Sequence, residues 1–198
     1  MVRITTKQLK EVVADYAATF EGWRSFQGTA FVREHGPIQQ MVWFDTPSTG
    51  QYRAICVINA LMLDWVRMPA QWLDVRHRPT LKQHPGRKAE IAAAMEQQFR
   101  PSIRHPIDVV EVLRLCKSEA RETVNDWAML AILNAWLGRR DQALSYCSRV
   151  QSCSPLVVTP TDPEIKAFCD SLADAVTKGT ASDFLQSAIQ EHANAPPS

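Results

Sequence analysis

The sequence lacks the features that announce most chemistries. Only seven glycines occur in 198 residues, and none sits in a G-x-G-x-x-G or G-x-x-x-x-G-K-[ST] frame, so a backbone cradle for nucleotide phosphates is not expected. There is no C-x-x-C pair and no H-E-x-x-H motif, whereas zinc needs several ligands at helix- or knuckle-compatible spacing. No G-x-S-x-G elbow is present, which removes a common signature of an exposed serine nucleophile. Long apolar runs are missing: the longest nearly charge-free one is AICVINALML, residues 54–63, about half the length of a bilayer-crossing helix. Neither sign of charge is in excess. The 22 Lys and Arg against 21 Asp and Glu leave +1, so no protein-wide attraction to nucleic acid or anionic lipid follows. The opening residues MVRITTKQLKEVV hold no apolar core of a secretory signal, and the expected location is the cytoplasm.

What is present reads as a globular chain, with 45% hydrophobic and 22% charged residues. Its length suits one domain, or two small ones sharing a core. Five cysteines at irregular spacing, Cys56, Cys116, Cys147, Cys153 and Cys169, are expected as reduced and mostly packed thiols. Cys56 falls in an expected strand and the other four in expected helices. Thr5 or Thr6 caps a helix over residues 6–19, with Leu9, Val12, Val13, Tyr16 and Phe20 on one face. Three β-rich runs follow at 29–33, 38–44 and 52–61, punctuated by EHGP and DTPSTG. Short loops between successive strands imply an antiparallel meander. In the second run, Gln40, Val42 and Phe44 share one face and Gln39, Met41 and Trp43 the other, so both faces are expected to be covered. Residues 62–75 read equally as a fourth strand or a short helix.

From Arg87 onward the periodicity is helical. One helix is stopped by Pro101, the next carries Pro106 in its first turn, and another ends at Gly138. A fourth is stopped near Pro155, a fifth spans Thr161 or Asp162 to Gly179, and a last one precedes the tail. The expected fold class is α+β: an N-terminal helix and small antiparallel meander, then an α-helical C-terminal half. The expected divisions are residues 1–75, a basic loop at 76–86, a helical region at 87–192 and a frayed tail at 193–198.

Residues 125–155 carry Trp127, Leu130, Ala131, Gly138, Ala143, Tyr146, Val150 and Pro155 at ordered spacing. Ala131 and Ala143 permit close helix approach, Gly138 permits the reversal, and Trp127, Leu130 and Tyr146 are expected to fill the groove. The stretch resembles a single tetratricopeptide repeat, departing from it at Asn134, where that family has an aromatic residue. The resemblance implies a protein-interaction scaffold. Phe31, Arg33, Ile38, Gln40, Val42, Phe44, Tyr52 and Ile58 follow the strand pattern of a bacterial family of domains of unknown function, which the N-terminal half resembles. Its usual residues after the second strand are replaced by DTPST, and no activity carries over. In size and build the chain is also similar to toxin-neutralising immunity proteins of bacteria.

The one charge anomaly is the stretch from Arg76 to Lys88, which has no acidic residue between Asp74 and Glu90. His77 and His84 sit in it and are expected on the surface, away from any carboxylate. The candidate interaction residues are Trp65, Trp72, Arg76, His77, Arg78, Lys82, His84, Arg87 and Lys88, because Trp and Arg dominate protein-binding hot spots. Arg100, Arg104 and His105 are expected to extend the patch. For each of the six tryptophans taken singly, a core position is the default expectation. No catalytic, metal or cofactor residues are assigned. The resulting expectation is a non-enzymatic protein-binding protein, an immunity or adaptor protein. The alternatives are a nucleic-acid binder using the basic loop, or an enzyme of unrecognised class.

Overall fold

The computed structural model describes residues 4–47, 49–63, 66–153 and 161–194. Among them are seven α-helices and a five-stranded antiparallel sheet in the order β1-β2-β3-β4-β5. The fold is α+β. The chain forms two compact units. The first comprises Met1–Glu34, Gln40–Ile58 and Pro69–Ile107; the second comprises His35–Gln39, Asn59–Met68 and Asp108–Ser198. The division expected at residues 76–86 therefore falls inside the first unit, and the helix after it belongs with the sheet.

In the first unit, α1 (Thr6–Ala17) starts at a capping box. The Thr5 hydroxyl accepts from the Gln8 N–H, and the Gln8 side chain accepts from the Thr5 N–H. The strands are β1 (Arg24–Phe26), β2 (Ala30–His35), β3 (Ile38–Asp45), β4 (Arg53–Ala60) and β5 (Gln71–Trp72), with His35, the first two residues of β3 and the last two of β4 counted in the second unit. The meander is as expected, with β1 added before it; three residues are too few to show alternation. Residues 71–72 supply the short fourth element that 62–75 left open. Along β3, Ile38, Gln40, Val42 and Phe44 are buried and the intervening residues only half-buried. One face of β3 is therefore fully covered and the other only in part. β4 is buried almost throughout. The helix α2 (His84–Gln98) begins three residues earlier than expected, with a proline in its first turn. Val12, Val13, Phe20 and Trp23 pack with Phe31, Val42, Phe44, Ile91, Met95 and Phe99 in one core.

In the second unit, α3 (Val109–Glu119) is capped by Asp108, whose carboxylate accepts from the Val110 N–H. Pro106 precedes the cap rather than lying in the first turn, because the aspartate side chain satisfies the first amide donors and sets the start. The helix α4 (Val124–Trp136) is buried continuously from Ala128 to Ala135. It touches α3, α5 (Arg140–Ser152), α6 (Asp162–Lys178) and α7 (Ala181–Asn194). A helix apolar on all sides is suited to such a central position. After α4, the Arg139 N–H donates to the Asn134 carbonyl and the Gly138 N–H to the Ala135 carbonyl, with Gly138 at φ +68°. This is a Schellman stop, and it turns the chain into α5.

Ala131 and Ala143 are fully buried in the resulting hairpin, as is Leu130. Trp127 stacks on Tyr146 at 5.9 Å and both rings remain half-buried. Gly36 adopts φ +54°, and a Cβ there would lie 2.8 Å from the Trp136 ring. Cys153 is the residue after α5 rather than part of it; all five cysteines are free and the other four are buried. Pro155 lies outside the described residues. So does the expected tail beyond Asn194, the last residue of α7.

Candidate interaction site

The site lies at one edge of the sheet. Ile55 faces Trp72 and the Leu73 N–H donates to the Ala54 carbonyl, in ordinary antiparallel register. Pairing resumes where the Tyr52 N–H donates to the Pro79 carbonyl and Gln51 faces Thr80. Eight residue steps of the outer segment, Trp72 to Thr80, thus run beside four of the inner one, Ile55 to Gln51. The excess is thrown outward as a 3-10 turn, Val75–His77. Such a bulge interrupts the edge ladder and displays side chains there.

The bulge is held from both ends. The Asp74 carboxylate accepts from the Arg76 N–H at 3.0 Å, and the Asp74 N–H donates to the Gln98 side chain at 3.0 Å. Arg87 of α2 donates to the Arg76 carbonyl at 3.2 Å and to both Glu90 oxygens at 2.6 and 2.9 Å. Glu90 also meets His77 Nδ1 at 3.3 Å. The Arg87 guanidinium hydrogen-bonded to Glu90 holds that carboxyl down to about 2. The Arg76 amide holds the Asp74 carboxyl below its ordinary value. Both side chains therefore stay ionised, and the clamp persists, well into the acid range.

The pinned turn leaves apolar surface in water. Trp72 is 50% exposed and Val75 62%. The Arg53 guanidinium lies over the Trp72 ring at 4.9 Å, a cation–π geometry. The exposed Arg76 side chain meets Asp74 at 3.6 Å.

The expected interaction residues divide accordingly. Trp72 and Arg76 are both exposed along the bulged edge segment, with Arg78 at the end of the turn. Trp72 departs furthest from the expectation that each tryptophan is core; among the described tryptophans Trp23 is buried and Trp43, Trp127 and Trp136 are half-buried. Lys82 is exposed in the following turn. His77, Arg87 and Lys88 face carboxylates, Lys88 reaching Asp15 at 3.9 Å. His84 is buried as the first residue of α2, with Asp15 3.1 Å from its Nε2. The expectation that both histidines lie away from carboxylates is corrected on both counts, because α1 and α2 bring Asp15 and Glu90 back to the loop. Trp65 lies outside the described residues. Arg104 pairs with Glu96 at 2.5 Å. Arg53 and Val75 were not singled out by the sequence. The first is hidden in a strand pattern, and the second gains its exposure from a bulge that has no local signature.

Two further polar clusters lie inside the first unit. Asp15, His84, Tyr52 and Tyr16 form a chain: His84 Nδ1 is 2.5 Å from the Tyr52 hydroxyl, which is 3.2 Å from the Tyr16 hydroxyl. The order resembles a carboxylate–imidazole–hydroxyl relay. However, both tyrosines are sealed in the core, so no substrate meets those oxygens, and the chain ties α1, α2 and the sheet together. Burial pushes the Tyr16 hydroxyl up to about 12 and raises that of Tyr52 as well. In the second cluster, buried Arg33 lies over Trp23 at 4.9 Å. It donates through Nε and NH2 to the Gln40 side-chain oxygen at 2.9 and 2.7 Å, to the His105 carbonyl at 2.6 Å and to the Ser102 carbonyl. Gln40 in turn donates to the Pro101 carbonyl at 2.9 Å, and Trp23 Nε1 to the Ile103 carbonyl at 2.8 Å. These side chains fasten residues 101–105 to the sheet. Burial pushes the Cys56 thiol beside Gln40 up to about 12, the opposite of an activated nucleophile.

Among the described residues no group of His, Cys, Asp and Glu is arranged to hold a metal ion, and no helix is long and apolar enough to cross a membrane. In comparisons with protein families, curated proteins and solved structures, the chain matches none.

Proposed function

We propose that this is a non-enzymatic binding protein of the bacterial cytoplasm, an adaptor or immunity protein, that docks another protein on the sheet-edge bulge. One observation carries the reading: Trp72 and Val75 are held half or more exposed on a turn that four side chains of its surroundings, Asp74, Arg87, Glu90 and Gln98, fix in place. A pre-ordered surface loses less conformational freedom on association. Exposed tryptophan beside arginine is the composition of an interface anchor. Five free cysteines suit a reducing compartment. The helical hairpin of α4 and α5 supports the same reading as a tetratricopeptide-like brace. Nucleic-acid binding draws less support, because Arg87, Lys88 and Arg104 each face a carboxylate and are partly neutralised as phosphate ligands.

The test is quantitative co-purification from the cells that express the protein, comparing the wild type with Trp72→Ala/Val75→Ser. Both positions are exposed, so the variant is expected to fold, as circular dichroism would show. A protein recovered in stoichiometric amount with the wild type is expected to fall about tenfold or more with the variant, the loss typical of a hot spot. Equal recovery with both would refute the proposal, as would a wild type that retains no protein.

A further inference from the structure

We infer that the bulge receives an acidic segment of its partner, one carboxylate seated between Arg53 and Arg78 and a neighbouring apolar side chain laid on Trp72 and Val75. The inference rests on the docking reading above and adds the chemistry of the partner. Arg53 is the β4 residue opposite Asp74 when the Ile55–Trp72 register is continued. Its Nε donates to the Leu73 carbonyl at 2.5 Å and its plane lies on Trp72, which fixes the guanidinium and leaves its outer edge for a planar bidentate acceptor. Arg78 ends the same turn. Its side chain is half-buried and its Nε has no hydrogen-bond partner among the described residues, so the guanidinium gains an acceptor when it turns outward to a partner's carboxylate.

The local charges agree. Arg53 lies within electrostatic reach of Arg78, Asp45 and Asp74, and Arg76 pairs with Asp74, so three arginines stand against two carboxylates. Asp74 is already engaged by the Arg76 amide and side chain. Arg78 lies near enough to lower the proton affinity of Arg53, a repulsion that a bound anion relieves. The apolar half of the site, Trp72 and Val75, favours a segment in which acidic and apolar residues are neighbours. A phosphate backbone is the weaker match, since single-strand binding uses several stacking aromatics along a basic track, and the bulge presents one.

Fluorescence anisotropy of labelled probes against the full chain tests this at low salt. The probes are a short peptide of alternating Glu and Leu, its Lys-and-Leu and Glu-and-Ser counterparts, and a short oligothymidylate. The Glu-and-Leu peptide is expected to bind about tenfold more tightly than the Lys-and-Leu peptide or the oligothymidylate, and increasingly weakly as salt rises. Replacing Leu by Ser, or introducing Arg53→Gln, Arg78→Gln or Trp72→Ala, is expected to weaken it about fivefold or more. The inference is overturned if no probe binds, if the lysine peptide or the oligothymidylate binds as well, or if a folded Arg78→Gln variant binds unchanged. Should the acidic peptide fail while Trp72→Ala/Val75→Ser still loses its co-purifying protein, the acidic partner is wrong and the docking face stands. Failure of both experiments removes the docking face as well.

Discussion

Replacing Arg33 by methionine is expected to remove about 4 kcal/mol of stability, a large share of the roughly 5–15 kcal/mol that holds a typical domain folded. Methionine keeps much of the aliphatic stem over Trp23 but supplies no donor. Four charge-assisted hydrogen bonds disappear together. The Gln40 oxygen and the carbonyls of Ser102 and His105 lose their donor where water has little access. All four bonds go to neutral amide oxygens, so the guanidinium is held as a cation by dipoles, and burial lowers its proton affinity to about 10. The comparison that isolates the effect is Arg24→Ala. It removes the exposed pair with Glu34 at 2.6 Å and is expected to cost less than about 0.5 kcal/mol. Urea midpoints followed by circular dichroism measure both. An Arg33→Met variant no less stable than Arg24→Ala would show that residues 101–105 are held by apolar packing instead.

Alkaline pH is expected to unfold the first unit through its two buried tyrosines. Tyr16 titrates at 10.0 when free and at about 12 in the fold, and burial raises Tyr52 in the same direction. A group whose folded value is raised stabilises the fold fully below its free value and loses that contribution as pH climbs through the folded one. The window is therefore pH 10 to 12, and Tyr16 by itself accounts for about 3 kcal/mol across two pH units. Cys56 adds to the loss in the same range, having been moved from 9.0 to about 12 by burial. Phenolate absorbance of Tyr16 and Tyr52 is expected to appear together with loss of near-ultraviolet circular dichroism. Tyr16→Phe, which removes one titrating hydroxyl, is expected to flatten the fall of the urea midpoint with pH. In a Tyr146→Phe background, which leaves Tyr16 and Tyr52 as the remaining phenols, phenolate formation near pH 10 with tertiary structure intact would contradict the burial argument.

These effects show which parts of the molecule were legible in the sequence. Helix α1 was readable because Thr5, Gln8 and the Val12–Val13–Tyr16 face are local signals. The stop of α4 was readable because a glycine at positive φ has few substitutes. The meander was readable from its strand patterns and turn residues. His84 was not, because its burial depends on Asp15 and Tyr52, which lie far away along the chain. The first-turn proline after it was the available clue that α2 starts there rather than at Arg87. Arg33 and Gln40 stood out as part of a strand pattern, but their task of gripping residues 101–105 is long-range and leaves no periodicity. For the candidate site, Trp72 and Arg76 drew attention by residue type and charge. Val75 and Arg53 drew none, because their display depends on a four-residue register shift between segments that pair only in three dimensions.

The most direct test of the docking face is position-specific photo-crosslinking in the cells that express the protein. A photoreactive phenylalanine analogue placed at Val75, on the exposed turn, is compared with the same analogue at Val110, exposed on α3. A discrete crosslinked protein is expected at position 75, missing at position 110 and lost when Trp72→Ala is added. Crosslinks of equal yield at both positions, or a product at 75 that survives Trp72→Ala undiminished, would contradict it.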